Sequence, residues 1–100
     1  LFIAERNLLY SEKGSDVRRP FSIRIGRPYL VREGMVDYAV GEGFAGCSIS
    51  IDGLDRAVPD VFGIDSIQAI SIASNLEPFL KRLQRDYDVF WASGEPYFDD

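Results

Sequence analysis

The sequence predicts an α+β fold, an antiparallel sheet of four to five strands with one long, kinked helix packed on one face, in the order β-β-β-β-α-β. Three observations predict it. Through the first half of the chain apolar residues recur at every second position, which is the mark of half-buried strands. Past residue 65 they recur at steps of three and four, the mark of a helix with a single apolar stripe. Pro78 then interrupts that stripe where a continuous helix would need an amide donor.

Taken in order, Phe2, Ala4, Leu8 and Tyr10 make a first strand, joined to the second through the turn-rich Ser11-Glu12-Lys13-Gly14-Ser15-Asp16. In the second strand Val17, Phe21, Ile23 and Ile25 fall on one face, and Arg18, Ser22 and Arg24 on the other. Pro20 removes one ladder donor, which predicts an edge position or a bulge. Residues 26–35, with Gly26, Pro28 and Gly34, read as a loop with a short extended piece at Tyr29-Leu30-Val31. Val36, Tyr38 and Val40 alternate with Asp37 and Ala39, and Cys47, Ile49 and Ile51 with Ser48, Ser50 and Asp52, giving two further strands. Residues 53–64 are irregular but too apolar, at Leu54, Val58, Val61 and Phe62, for a solvated linker, so they are expected to pack on the core.

The helix is predicted from about Ser66 to Asp86. Its stripe is Ala69, Ala73, Leu76, Leu80, Leu83 and Tyr87, widened by Ile70 and Phe79. Asp65 caps it, and Gln68, three residues on, reaches back toward the cap. Lys81, Arg82 and Arg85 complement the helix dipole at the other end. Because Pro78 cannot donate to the Ser74 carbonyl, a kink or a break into two shorter helices is expected there. Val89-Phe90-Trp91 reads as a short last strand, followed by an aromatic, acidic tail over residues 94–100.

One hundred residues, 46% of them hydrophobic, suffice for one core and one domain, residues 1–100. Sixteen acidic against eleven basic side chains give a net charge of −5. The charge is unevenly placed: residues 1–35 hold seven basic and four acidic side chains, the remainder four and twelve. Such a chain is a poor nucleic-acid binder, since phosphate neutralisation by Lys and Arg supplies most of that affinity, and a basic partner suits it better. No apolar run approaches the ~20 residues that span a bilayer, and the start lacks the order of a signal peptide. The lone Cys47 precludes an internal disulfide and suits a reducing compartment, so a cytoplasmic protein is expected. There is no histidine, which removes the commonest general base and every Ser-His or Cys-His pair. With one cysteine besides, a zinc site within the chain is excluded, and no catalytic, cofactor-binding or metal-binding residue is assigned.

Several motifs resemble chemistry. Gly41-Glu42-Gly43-Phe44-Ala45-Gly46 fits the dinucleotide fingerprint, but a strand rather than a helix is expected to follow, and Glu42 places negative charge where a phosphate would sit. Asp52, Asp55, Asp60 and Asp65 lack the spacing of a calcium loop and read as solvated loop charges. Asp65-Ser66-Ile67 is similar to the Asp-Ser-Leu signature of acyl and peptidyl carrier proteins, which makes Ser66 a candidate for modification; carrier proteins, however, are four-helix bundles. Arg18, Arg24, Ser48, Ser50 and Asp52 share the non-core faces of predicted strands and form a candidate interaction surface. Trp91, Tyr97 and Phe98 are aromatics of the kind enriched at interfaces.

Ile3-Ala4-Glu5-Arg6, Ile25-Gly26-Arg27-Pro28, Ile51-Asp52-Gly53-Leu54, Gly63-Ile64-Asp65-Ser66-Ile67-Gln68-Ala69 and Trp91 together resemble a family of small bacterial domains of unknown function. The resemblance spans nearly the whole chain and implies a bacterial cytosolic domain; it transfers no catalytic residue. The expected function is therefore a non-enzymatic protein-interaction module, immunity-like or accessory, with an unidentified protein partner and the capacity to self-associate through exposed sheet edges. The alternatives are a carrier or substrate protein modified at Ser66, and a small-ligand binder using a pocket between the helix and the Gly41–Gly46 turn.

Overall fold

The computed structural model of the chain describes residues 1–98. In chain order its elements are β1 (Phe2–Glu12), β2 (Arg19–Gly26), β3 (Tyr29–Leu30), β4 (Ala45–Cys47), β5 (Ile49–Asp52), β6 (Val61–Gly63), α1 (Ser66–Ser74), α2 (Glu77–Leu83) and β7 (Tyr87–Trp91). The α+β architecture is as the periodicity predicts. Four antiparallel strands run in the order β5-β2-β1-β7, and the bent α1–α2 stretch covers one face.

Register places the alternation correctly. Leu8 pairs with Phe21, and Ile23 with Ile51, so the apolar residues of adjacent strands share the face that α1 and α2 bury. Leu8, Phe21, Ile23, Ile25 and Val89 from the sheet meet Ala69, Ala73, Leu76, Leu80 and Leu83 from the helices. β1 carries a bulge between Phe2 and Ala4. Pro20 sits in β2, an interior strand of the sheet, opposite Leu9. It is tolerated because the β5 pairing stops at Ser22 opposite Asp52, leaving β2 locally an edge where the missing donor would have been needed.

The structure differs from the sequence reading in four places. Val17 and Arg18 precede β2, and Val17 is exposed rather than on the core face. The stretch Cys47–Asp52 is not one strand: β4 and β5 are separated at Ser48, and β4 belongs to a second, three-stranded sheet, β3-β4-β6. The chain changes sheets at Ser48, whose Oγ occupies the space beside Gly26 that a Cβ there would need. Val36, Tyr38 and Val40 form no strand. Both edges of β4 are already taken by β3 and β6, and Tyr38 uses its apolar ring against Phe44, edge to face at 6.0 Å. Finally, the irregular connection packs on the core as expected but ends in a strand of its own, β6, too short to show alternation.

The helix breaks into two. Asn75 closes α1, its N–H donating to the Ile72 carbonyl at 3.3 Å, and Pro78 lies in the first turn of α2, where its missing N–H costs nothing. The break therefore falls just upstream of the proline. After β7 the chain turns back: Tyr97 N–H donates to the Val89 carbonyl at 3.0 Å, and the Tyr97 ring stacks on Trp91 at 4.4 Å. Tyr97 and Phe98 pack against the core, while Asp99 and Asp100 lie outside the described residues.

The start of α1 explains its own sequence. Asp65 Oδ1 accepts from the Gln68 N–H at 2.8 Å, and Gln68 Oε1 accepts from the Ile64 N–H at 2.7 Å, so the capping box closes one residue upstream of the cap. Gly63, the last residue of β6, lies against this turn: a Cβ there would stand 2.6 Å from the Ala69 nitrogen. Ala69 and Ala73 are fully buried and small enough to let α1 lie close on β4 and β6. Gly63→Ala is therefore expected to destabilise the fold by about 2 kcal/mol, because backbone rather than a flexible side chain must yield. Urea unfolding checks it; an unchanged midpoint would show that α1 is free to move away.

Candidate functional site

The polar face predicted from the strands is present but closed on itself. Arg24, Ser50 and Asp52 come together on the outer side of the large sheet, with Glu5, Asn7 and Ser22 beside them. Arg24 Nε donates to Glu5 Oε2 at 2.7 Å and its Nη2 lies 3.6 Å from Asp52, while the Ser22 hydroxyl donates to Asn7 Oδ1 at 2.7 Å. The hydrogen bond that Arg24 donates to Glu5, with the charges of Glu5 and Asp52 behind it, raises the Arg24 pKa against the opposing effect of desolvation. Arg18 is held elsewhere, its guanidinium 3.8 Å over the Phe90 ring and its Nη1 donating to the Gly94 carbonyl at 2.8 Å. Ser48 is turned against Gly26. The structure thus unites three of the five residues and matches their charges internally.

The other sequence motifs resolve into structure. Gly41–Gly43 is a turn that runs into β4, with Gly43 at φ +83°, and no helix follows it. The phenol end of the Tyr29 ring lies against Gly46, where a Cβ would fall 2.5 Å from Cζ, and Phe44 stacks on Phe62, so aromatic rings fill the space beside the turn. Ser66 is the exposed first residue of α1, flanked by Ile64 and Ile67, which are 70% and 76% exposed. Cys47 is fully buried, and its thiol donates to the Gly26 carbonyl at 3.2 Å. Burial, and after it the charge of Asp60, pushes that thiol's pKa up, which keeps it protonated and unsuited to nucleophilic attack. Among the described residues no three His, Cys, Asp or Glu side chains gather to hold a metal ion, and no helix is long and apolar enough to cross a membrane.

The concave surface with most chemistry lies at the helix break. Because α1 and α2 part at Asn75-Leu76, their apolar stripe opens into a groove of about 230 Å³ between the helices and the connection that follows β5. Ile49, Val58, Val61, Ile72, Leu76, Phe79 and Arg82 line it. Beyond Arg82 a second hollow of about 300 Å³ continues along α2, bounded by Val58, Pro59, Phe79, Arg82, Arg85 and the Arg56–Asp86 pair at 2.9 Å. Val58, Phe79 and Arg82 are common to both, so the two form one trench. A third cavity, at the β1–β2 hairpin, holds the buried Ser11 hydroxyl, which has no hydrogen-bond partner; its walls are polar and its charges of both signs.

Two contacts hold the outer wall of the trench. Arg56 ties one part of the connection to Asp86 and lies 5.4 Å from the Tyr87 ring centre. At the other, the Tyr29 hydroxyl donates to Asp60 Oδ2 at 2.5 Å. That hydrogen bond, with desolvation next and the Asp60 charge after it, raises the phenol from its usual 10.0 to about 12. The sign follows from linkage: the folded chain keeps this proton while the unfolded chain loses it, so the contribution is complete below about pH 10 and gone by about pH 12. Ultraviolet titration is expected to show one phenolate forming near pH 12 that moves down toward 10 in Asp60→Asn; an unmoved midpoint would sever the tie.

The trench was not read from the sequence, yet a signal was there. Past residue 35 the chain has only four basic residues, Arg56, Lys81, Arg82 and Arg85, and three of them line the same hollow. No family model matches this chain, nor does any curated protein or solved structure, so its functional reading rests on the geometry of this trench.

Proposed function

We propose that this chain is a non-enzymatic protein-interaction module, and that its partner lays a short segment into the trench at the helix break. The observation that carries this reading is an apolar groove beside the helix break, lined by Val58, Val61, Leu76 and Phe79 with Ile72 on its rim. Ile72 is 44% exposed, a large apolar side chain on the rim of a concave surface rather than a scattered one. Small-molecule sites usually enclose most of their ligand. A trench open along its side suits a chain segment better, in the manner of grooves that take apolar anchors from a peptide. The outer sheet face supports the choice from the other side, since its charges are already matched. The free, buried thiol of Cys47 fits a cytoplasmic setting.

Selection of random displayed peptides against the full chain tests the reading. Selected peptides are expected to lose about tenfold in affinity for Ile72→Ser, the loss of one buried apolar contact. Because Ile72 stands on the exposed side of α1, the variant should keep the melting temperature of the parent within a few degrees. Failure to enrich any peptide, or enrichment indifferent to Ile72, would overturn the reading.

A further inference from the structure

Resting on the trench as a docking site, we infer that the segment it takes is acidic: an apolar side chain seated between Ile72 and Phe79, followed within about three residues by carboxylates that meet Arg82 and Arg85. The polarity of the trench carries this. Its floor is apolar at the α1 end and becomes cationic along α2. Of the arginines there, Arg56 is already bound to Asp86, the one carboxylate on the wall. Arg82 and Arg85 form no ion pair with any described carboxylate. Past residue 35, where twelve acidic side chains face four basic ones, these two arginines border one hollow with no carboxylate bound to them among the described residues.

The spacing sets the motif. Phe79 and Arg82 stand one turn apart on α2, about 4.5 Å along its axis at about 1.5 Å per residue, and Arg85 follows in the turn after Leu83, its N–H donating to the Arg82 carbonyl at 3.2 Å. The step from Phe79 to Arg82 equals one to two residues of extended chain at about 3.3 Å each, and Arg85 borders the same hollow beyond it. A segment with one apolar anchor therefore reaches both guanidinium groups with the next few side chains. Guanidinium groups bind carboxylates through paired donors, so acidic side chains are the complement they select.

The test uses three short synthetic peptides of one length, with a leucine followed after one residue by two glutamates, two glutamines or two lysines, titrated against the full chain by fluorescence anisotropy. The glutamate peptide is expected to bind about fivefold more tightly than the glutamine one, as two exposed ion pairs allow, and to weaken as salt is raised. In Arg82→Glu with Arg85→Glu the preference is expected to pass to the lysine peptide. Circular dichroism confirms that this variant is folded; if it is not, Arg82→Gln with Arg85→Gln replaces it and is expected to level the glutamate and glutamine peptides. Equal binding of these two to the parent, with both lost in Ile72→Ser, would overturn the acidic class while leaving the trench as a docking site. Binding of none, alongside failed display selection, overturns both. A saturated fatty acid that displaces the glutamate peptide and binds more tightly would make the occupant an amphiphile, and a dimer in sedimentation that the peptide dissolves would make it a second copy of the chain; either overturns the inference.

Discussion

Where Gly63 meets Ala69, the last strand of the small sheet and the first turn of α1 share one close contact, with no side chain between them. The rest of the molecule is arranged from it. The cap at Asp65 and the return bond from Gln68 to Ile64 fix the direction in which α1 leaves, and the buried alanines of α1 then keep it low against β4 and β6. Since β4 continues through Ser48 into β5, the position of α1 on the small sheet also sets where α1 and α2 lie over the large one. Any side chain at residue 63 would lift the helix and separate the two halves of a common core.

Against that fixed start, the helix cannot run straight to β7. Pro78 denies the Ser74 carbonyl its donor, α1 stops at Ser74, and α2 begins afresh with Glu77 and Pro78 in a first turn that needs no amide hydrogen. Leu76, Leu80 and Leu83 remain buried on one side of the break, while Ile72 and Phe79 are left facing the connection after β5. The trench lies at this break, and Pro78 itself stands in its wall with Ile72 and Phe79. The connection opposite is held in place by Tyr29–Asp60 and Arg56–Asp86, two tethers far apart in sequence.

Much of the large sheet was legible because its signal is local. Alternation at Phe21, Ile23 and Ile25, the three-and-four stepping of Ala69, Ala73, Leu76, Leu80 and Leu83, and Pro78 each mean the same thing whatever surrounds them. The small sheet was not legible because its strands are two or three residues long, below the length at which alternation can be seen. Tyr38 shows the converse: its segment alternates, but a strand needs a free edge, and β4 has none left. Among candidate site residues, Arg24, Ser50 and Asp52 were placed together correctly by parity alone. Ser48 and Arg18 escaped, the first because the chain changes sheets there, the second because Phe90 and the Gly94 carbonyl hold it. The trench depends on which loop faces which helix, a long-range fact no window of sequence contains.

For a segment docked in the proposed way, net charge and local charge would favour opposite chemistries, and distance decides which is felt. The excess of carboxylates favours a basic approach from afar, but at physiological salt the field of an exposed charge fades over about 8 Å. Within the trench the nearest ions are Arg56, Arg82, Arg85 and Asp86, of which Arg56 and Asp86 cancel. A segment lying on Phe79 therefore experiences the two remaining arginines more strongly than the acidic residues spread over the rest of the surface. Selectivity would then come from the contrast between a negative exterior and a small cationic interior, which rewards a compact acidic motif beside an apolar anchor and penalises a uniformly charged one.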